Sequence, residues 1–177
     1  MKVTCIIPLS ESQLERIRGA TQGLDVVVAD SPEKQEAHLP DTDVLFGRFA
    51  PAMLDRAKEV KWVQVPWVGV EPFLIDPFLS SPIPLVNAKG VMGIPMAEHT
   101  WALILALTRG VSTAMRERRW ESRRAIRSQV WELAGKSMGI VGLGSVGTEV
   151  ARRAVAFGME VLAIRRGESQ KPPFVSQ

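Results

Sequence analysis

Apolar residues fall in short blocks separated by polar, turn-forming stretches. "KVTCII" reads as a buried strand, and "SESQLERIRGA" as a short helix with Ser10 as its N-cap. "LDVVVAD" is a second strand, and "SPEKQEAHL" a polar segment with Pro32 near a helix start. "DTDVLFGR" is a third strand ending in Gly47, "PAMLDRAKEV" a helix, "KWVQVP" a fourth strand and "VNAKG" a weaker fifth. Strands alternating with helices predict a parallel, doubly wound α/β unit over residues 1–94.

The pattern then changes. "IPMAEHTWALILALTRGVSTAMRERR" reads as one long helix with Pro95 in its first turn. Residues 101–107 are apolar on every side and are expected to be buried, while the Arg-rich end is expected to be solvated. A helix of this kind after a compact unit suits a connector over 95–130. "WELAGKS" is a turn region closed by Gly135. "MGIVGLG" is then a strand, "SVGTEVARRAVAFG" a helix and "MEVLAIRR" a strand, which opens a further unit over 131–177. The tail "GESQKPPFVSQ" has no periodicity and reads as loop or disorder.

Composition narrows the function classes. Of 177 residues, 46% are hydrophobic, a globular balance that argues against a disordered chain. Cys5 is the single cysteine, so no disulfide forms within the chain and a reducing cytoplasm is expected. "WALILAL" is too short to cross a bilayer, and the apolar stretch after Lys2 breaks at Pro8, too early for a signal peptide. Neither a membrane nor a nucleic-acid partner is expected. The net charge of +3 is uneven, because "RERRWESRRAIR" (116–127) holds six Arg and two Glu. That run fits a solvated helical face with internal Glu–Arg pairs better than a nucleic-acid patch, since no nucleic-acid motif accompanies it.

The strongest chemical signal is G-x-G-x-x-G at Gly142, Gly144 and Gly147. It follows a strand, opens a helix and is trailed by a second strand, the context a dinucleotide site requires. Gly142 permits the tight turn, Gly144 lets backbone approach a pyrophosphate, and Gly147 lets helix and strand pack closely. The first helical N–H groups, at Ser145, Val146 and Gly147, then face the phosphates together with the positive end of the helix dipole. About 20 residues on, where an NAD site carries a carboxylate for the ribose, this chain has Arg165 and Arg166. Guanidinium groups suit a 2′-phosphate, which favours NADP(H) over NAD(H); the alternative is that both are solvated at a strand end.

With these segments in order, nearly all of residues 1–177 resembles the D-isomer-specific 2-hydroxyacid dehydrogenases, in particular their glyoxylate/hydroxypyruvate reductase branch. "DVLFGRF" and "KWVQVPWVGVE" resemble the family's substrate-loop region. "NAKGVMGIPMAEHTWALILAL" resembles the segment entering its interdomain helix, and "LAGKSMGIVGLGSVGTEVARRAVAFGMEVLAIRR" its cofactor fingerprint. The resemblance implies a flavodoxin-like substrate domain followed by the start of a Rossmann-type domain. It implies hydride transfer between nicotinamide C4 and C2 of a small 2-oxo or 2-hydroxy acid, with a proton moved by a histidine. It places the substrate carboxylate on backbone N–H groups of Val68 and Gly69. Trp67 then walls the pocket or lies in the core. Arg48 helps hold the anion or is solvated surface. Thr100 lies near the cofactor or is a plain helix residue. Glu98 and His99 are structural, in helix start and interdomain packing, and His38 is surface.

The family's catalytic Arg, Glu and His correspond to positions beyond residue 177. The family pattern therefore implies a truncated product, a fragment or one part of a split enzyme, inactive alone and poorly stable unless another chain covers it. The complete protein is expected to be a homodimer, through the long helix and its surroundings. The competing expectation is a non-catalytic remnant that dimerises or binds NADP.

Overall fold

The computed structural model describes residues 1–177 except 21, 77, 168, 169, 171 and 177, with only the backbone described at 51. The chain divides into two units, Met1–Lys89 and Gly90–Gln177.

The first unit is a parallel sheet. Its strands are β1 (Lys2–Cys5), β2 (Asp25–Val28), β3 (Val44–Phe46), β4 (Trp62–Gln64) and β5 (Leu85–Val86), in the order β2-β1-β3-β4-β5. Alternation along the strands feeds two separate cores. Leu45 and Val63 join Ile6, Phe49, Val60 and Phe73 in one cluster, while Cys5 and Val26 meet Leu14 in another. A parallel sheet covered on both faces is the usual arrangement, because its crossovers lie over the faces. Helix α1 (Glu11–Ala20) supplies Leu14. Its entry is a reciprocal box: Gln13 N–H donates to Ser10 Oγ at 3.4 Å and Ser10 N–H to Gln13 Oε1 at 2.8 Å. Helix α2 (Pro32–His38) starts at Pro32 with Ser31 as its cap and ends at a half-buried His38. Buried Thr4 and Thr42 satisfy each other, Oγ1 to Oγ1 at 2.7 Å, and the Thr42 hydroxyl donates onward to the His38 carbonyl at 2.7 Å.

"PAMLDRAKEV" is not a helix. It forms a 3₁₀ turn at Pro51–Met53 and then successive turns, with Arg56 N–H on the Met53 carbonyl and Val60 N–H on the Ala57 carbonyl. So short a segment gains little as an isolated helix, and burial of Ala57 and Val60 in the sheet core sets its path instead.

In the second unit the long helix is broken. Helix α3 (Gly93–Thr108) stops at Gly110, whose φ is +66°, and α4 (Val111–Glu117) follows. Arg118, at φ +49°, ends α4, and a 3₁₀ turn at Trp120–Ser122 leads to α5 (Arg123–Arg127). The break is tight: a Cβ on Gly110 would lie 2.7 Å from Ile126 Cγ2 and 3.1 Å from Val130 Cγ1. Uniform burial of residues 101–107 is also corrected. Trp101 is buried, but Leu103 and Leu107 are exposed, because α3 packs by a single stripe of Gly93, Ala97, Trp101 and Thr108.

That stripe meets α6 (Ser145–Ala156) through Val150, Ala151 and Ala154. The Trp101 indole N–H donates to the Val150 carbonyl at 3.2 Å, and its ring stacks on Phe157 at 4.6 Å. Behind the helices lie β6 (Ser137–Val141) and β7 (Glu160–Ile164), parallel and in register from Ser137↔Glu160 to Val141↔Ile164. The described residues of the tail are irregular but tied down, with Val175 buried in the helix-facing core and Ser176 N–H donating to the Val161 carbonyl; 168, 169, 171 and 177 lie outside the described residues.

Candidate functional site

In the first unit the candidate residues gather where parallel strands end. The chain leaves β3 through Gly47, buried at φ +128°, where a Cβ would lie 2.8 Å from Ile7 Cγ2. Only glycine fits so close to the end of β1, and its placement sets Arg48 free at the surface. The Arg48 guanidinium lies over the Trp67 ring, 5.5 Å from its centroid, and Trp67 stacks on Phe73 at 6.1 Å. Trp67 is thus half-buried, with a core contact and a cation contact at once. Beyond it the loop is held from β5: Ala88 N–H donates to the Trp67 carbonyl at 2.9 Å and Asn87 Nδ2 to the Val68 carbonyl at 2.8 Å. The carbonyls of this loop are therefore engaged. The N–H groups of Val68 and Gly69 make no hydrogen bond to a described residue, and both residues are exposed.

In the second unit the three glycines separate by cause. Gly142 has φ +99°, and its N–H donates to the Ile164 carbonyl at 2.8 Å. That turn needs glycine for its backbone. Gly147 has no room: a Cβ there would run into the Gly142 carbonyl oxygen and touch Ile140 Cγ2 at 3.3 Å. Gly144 needs glycine for neither reason. Its φ of −87° and ψ of −160° suit any residue, and a Cβ there would face open space. It is also the N-cap of α6, with no side chain capping the helix. The first α6 N–H groups, from Ser145, Val146 and Gly147, are thus an open set of donors at a positive dipole end. Gly93 brings the start of α3 close to this turn, since a Cβ on it would lie 3.2 Å from the Ser145 carbonyl oxygen.

Arg165 follows directly on Ile164, the residue bonded to Gly142, so the first arginine leaves the sheet beside the glycine turn. Arg165 and Arg166 are exposed and make no ion pair with a described residue.

Residues 101–175, from within α3 to the tail, match the model of the D-isomer specific 2-hydroxyacid dehydrogenase NAD binding domain. These residues carry the chain's likeness to the D-isomer-specific 2-hydroxyacid dehydrogenase family. It is 31% identical to a hydroxypyruvate reductase of Thermotoga maritima over 77% of this chain and 47% of that one. It is 33% identical to a D-3-phosphoglycerate dehydrogenase of Archaeoglobus fulgidus over 100% of this chain and 33% of that one. A crystal structure of a D-isomer specific 2-hydroxyacid dehydrogenase family protein from Aeromonas salmonicida aligns with a TM-score of 0.76 at 23% identity, over 99% of this chain and 56% of that one, which speaks to the fold. The chain spans between about a third and a half of the length of the curated relatives named here.

Other candidate residues have simpler surroundings. The Thr100 hydroxyl donates to the Met96 carbonyl of its own helix at 2.8 Å. Glu98 reaches Arg153 of α6 at 3.8 Å, and His99 is exposed on α3. The Glu–Arg pairs expected within 116–127 are absent among the described residues. Glu117 accepts from Ser122 instead, because the helix that would space such pairs is broken at Arg118. Two residues escaped the sequence reading. Asn87, which fixes the Val68 carbonyl, sits after a weak strand with no motif. Gly93, which admits the Ser145 backbone, stands in "VMGIP", where a glycine before a helix reads as a mere boundary.

Proposed function

We propose that this chain provides the substrate loop and the phosphate-binding turn of an NAD(P)-dependent oxidoreductase. The enzyme interconverts a small 2-oxo acid of the glyoxylate or hydroxypyruvate type and its D-2-hydroxy acid. The observation that carries this reading is Gly144, a glycine demanded neither by its backbone angles nor by its neighbours, at the mouth of an uncapped helix. A bound pyrophosphate gives that position its reason.

In this reading residues 1–94 are a flavodoxin-like substrate domain, 95–130 the interdomain region and 131–177 the first βαβ of the cofactor domain, in a cytoplasmic homodimer. The strand order 2-1-3-4-5 of the first unit supports the first assignment. The N–H groups of Val68 and Gly69 hold the substrate carboxylate, with Asn87 keeping the loop in shape and Arg48 adding charge at its rim. Ser145, Val146 and Gly147 hold the pyrophosphate, and Thr100 faces the cofactor. Arg165 and Arg166 select a 2′-phosphate, so NADP(H) is preferred. The nicotinamide, when bound, supplies the hydride. These residues bind and orient, and none is assigned the proton transfer.

Gly144→Val tests the cofactor half. NADPH affinity should fall at least about tenfold while the far-UV circular dichroism spectrum is kept, and unchanged affinity rejects the site. For the substrate half, adding glyoxylate should shift the Val68 and Gly69 amide resonances before any others. Shifts confined to other residues reject that loop. Hydroxypyruvate and 3-phosphoglycerate in the same titration rank the substrates, since relatives named for both chemistries match this chain.

A further inference from the structure

The break after α3 builds a cavity that the proposed chemistry does not use. Its volume is about 360 Å³, at the lower end of ligand-binding clefts. Arg109, Arg119, Arg123 and Arg127 are among its lining residues, with Trp120 and the apolar Ala114, Ile126 and Val130. No carboxylate lines it among the described residues. Four like charges around one small cavity repel each other unless an anion sits among them.

The frame is fixed rather than draped. Gly110 packs against Ile126 and Val130. Trp131 N–H donates to the Thr108 carbonyl at 3.1 Å, and Arg109 Nη1 to the Trp131 carbonyl at 3.2 Å. Arg118 adopts φ +49°, the single positive φ outside glycine among the described residues, and so turns Arg119 and Trp120 back alongside Ala114. Backbone strain of this kind gathers at functional positions. Arg123 lies over the Trp120 ring at 5.2 Å and donates to the Trp120 carbonyl at 3.1 Å, which orients that ring. The Arg119 and Arg127 side chains make no hydrogen bond or ion pair with a described residue.

We infer that this cavity binds a small phosphate monoester with a planar or apolar body, its phosphate on the forks of Arg119 and Arg127 and its body on Trp120 and the apolar side chains. The forked guanidinium matches phosphate in a bidentate way, and the indole and the aliphatic side chains suit a base-like body. This site is separate from the glycine turn.

The test keeps the two apart by using the 177-residue chain carrying Gly144→Val, titrated with AMP in a calorimeter. AMP should bind saturably at one site and adenosine should not. Arg119→Ala with Arg127→Ala should weaken AMP by about 30-fold, while Arg116→Ala with Arg124→Ala, equal in charge but off the cavity, should change it less than about threefold. Arg119→Lys with Arg127→Lys keeps the charge and loses the forks. An intermediate loss supports the geometry, and this pair serves if the alanine pair does not fold. Absence of saturation by about 10 mM AMP overturns the proposal. So does equal weakening by the off-cavity pair, or binding of adenosine as tight as that of AMP.

Discussion

The two units cover their parallel sheets to different extents. In Met1–Lys89, Leu45 and Val63 at 0% exposure face one core while Cys5 at 1% faces another, so the sheet is closed on both sides. In Gly90–Gln177, Val161 is 0% exposed toward the helices, yet Val141 is 90% and Ile164 66% exposed on the opposite face. The difference separates two ways of carrying a site. The first unit keeps stability in the sheet and places its candidate donors on a loop at the edge. The second divides its glycines, with Gly142 making the turn before α6 and Gly147 the close packing behind it.

The sharpest way to break that comparison is a pair of core deletions. Leu45→Ala should cost about 2–5 kcal/mol and raise amide hydrogen exchange through β1, β3 and β4. Val141→Ala should cost less than about 0.5 kcal/mol, as at an exposed surface position. If the two variants lose comparable stability in urea titrations, the outward face of β6 and β7 is covered in solution and the contrast between the units falls.

Within the second unit the glycines can be split next. Gly147→Val forces a side chain against the Gly142 carbonyl, and overpacking of this kind costs about 1–3 kcal/mol. Gly144→Val meets open space at allowed angles and should cost only about 1 kcal/mol, for a poorer helix N-cap, while removing cofactor affinity. A thermal melt and an NADPH titration on each variant decide it. A large stability loss at Gly144 makes it another packing glycine and removes the main support for the site.

What the sequence made legible follows the same division. Gly142, Gly144 and Gly147 announced themselves because a tight turn, a close approach and a tight packing all demand the smallest residue at fixed spacing. The strands of the first unit were legible as apolar blocks, since their burial leaves little room for polar residues. The break at Gly110 was not legible. A glycine inside an apolar, helical pattern is tolerated often enough that only contact with Ile126 and Val130, far along the chain, decides it. The turns of 51–60 were missed for the same reason: Ala57 and Val60 sit at helical spacing, but tertiary burial fixes their path. Asn87 is the clearest loss at the candidate site, since its hydrogen bond to Val68 joins two loops that sequence spacing does not relate.

A smaller effect sharpens the cofactor side of the comparison. If Arg165 and Arg166 read a 2′-phosphate, replacing both with Asp should weaken NADPH at least about tenfold and NADH less than about threefold. Equal changes for the two cofactors, measured by fluorescence titration, would return both arginines to the solvent.

The smallest effect lies in the first unit, at the end of the sheet away from its loop. The Asp43 carboxylate takes the Lys61 ammonium at 2.7 Å and accepts from the Lys2 backbone N–H at 2.7 Å. The Lys61 contact above all, then the Lys2 bond, holds this carboxyl below the ordinary carboxylate range. Its proton affinity is thus lowered on folding, so the unfolded chain binds protons more readily than the native one. The contribution is complete above the ordinary value of about 4 and is lost as pH falls through the lower native value. Lys61 is exposed, so the pair is weak and screened by salt. Lys61→Met should therefore lower the urea midpoint slightly at pH 7, and the gap should close in strong acid. A gap that stays constant with pH would assign the effect to the alkyl stem of Lys61 packing on the sheet end rather than to its charge.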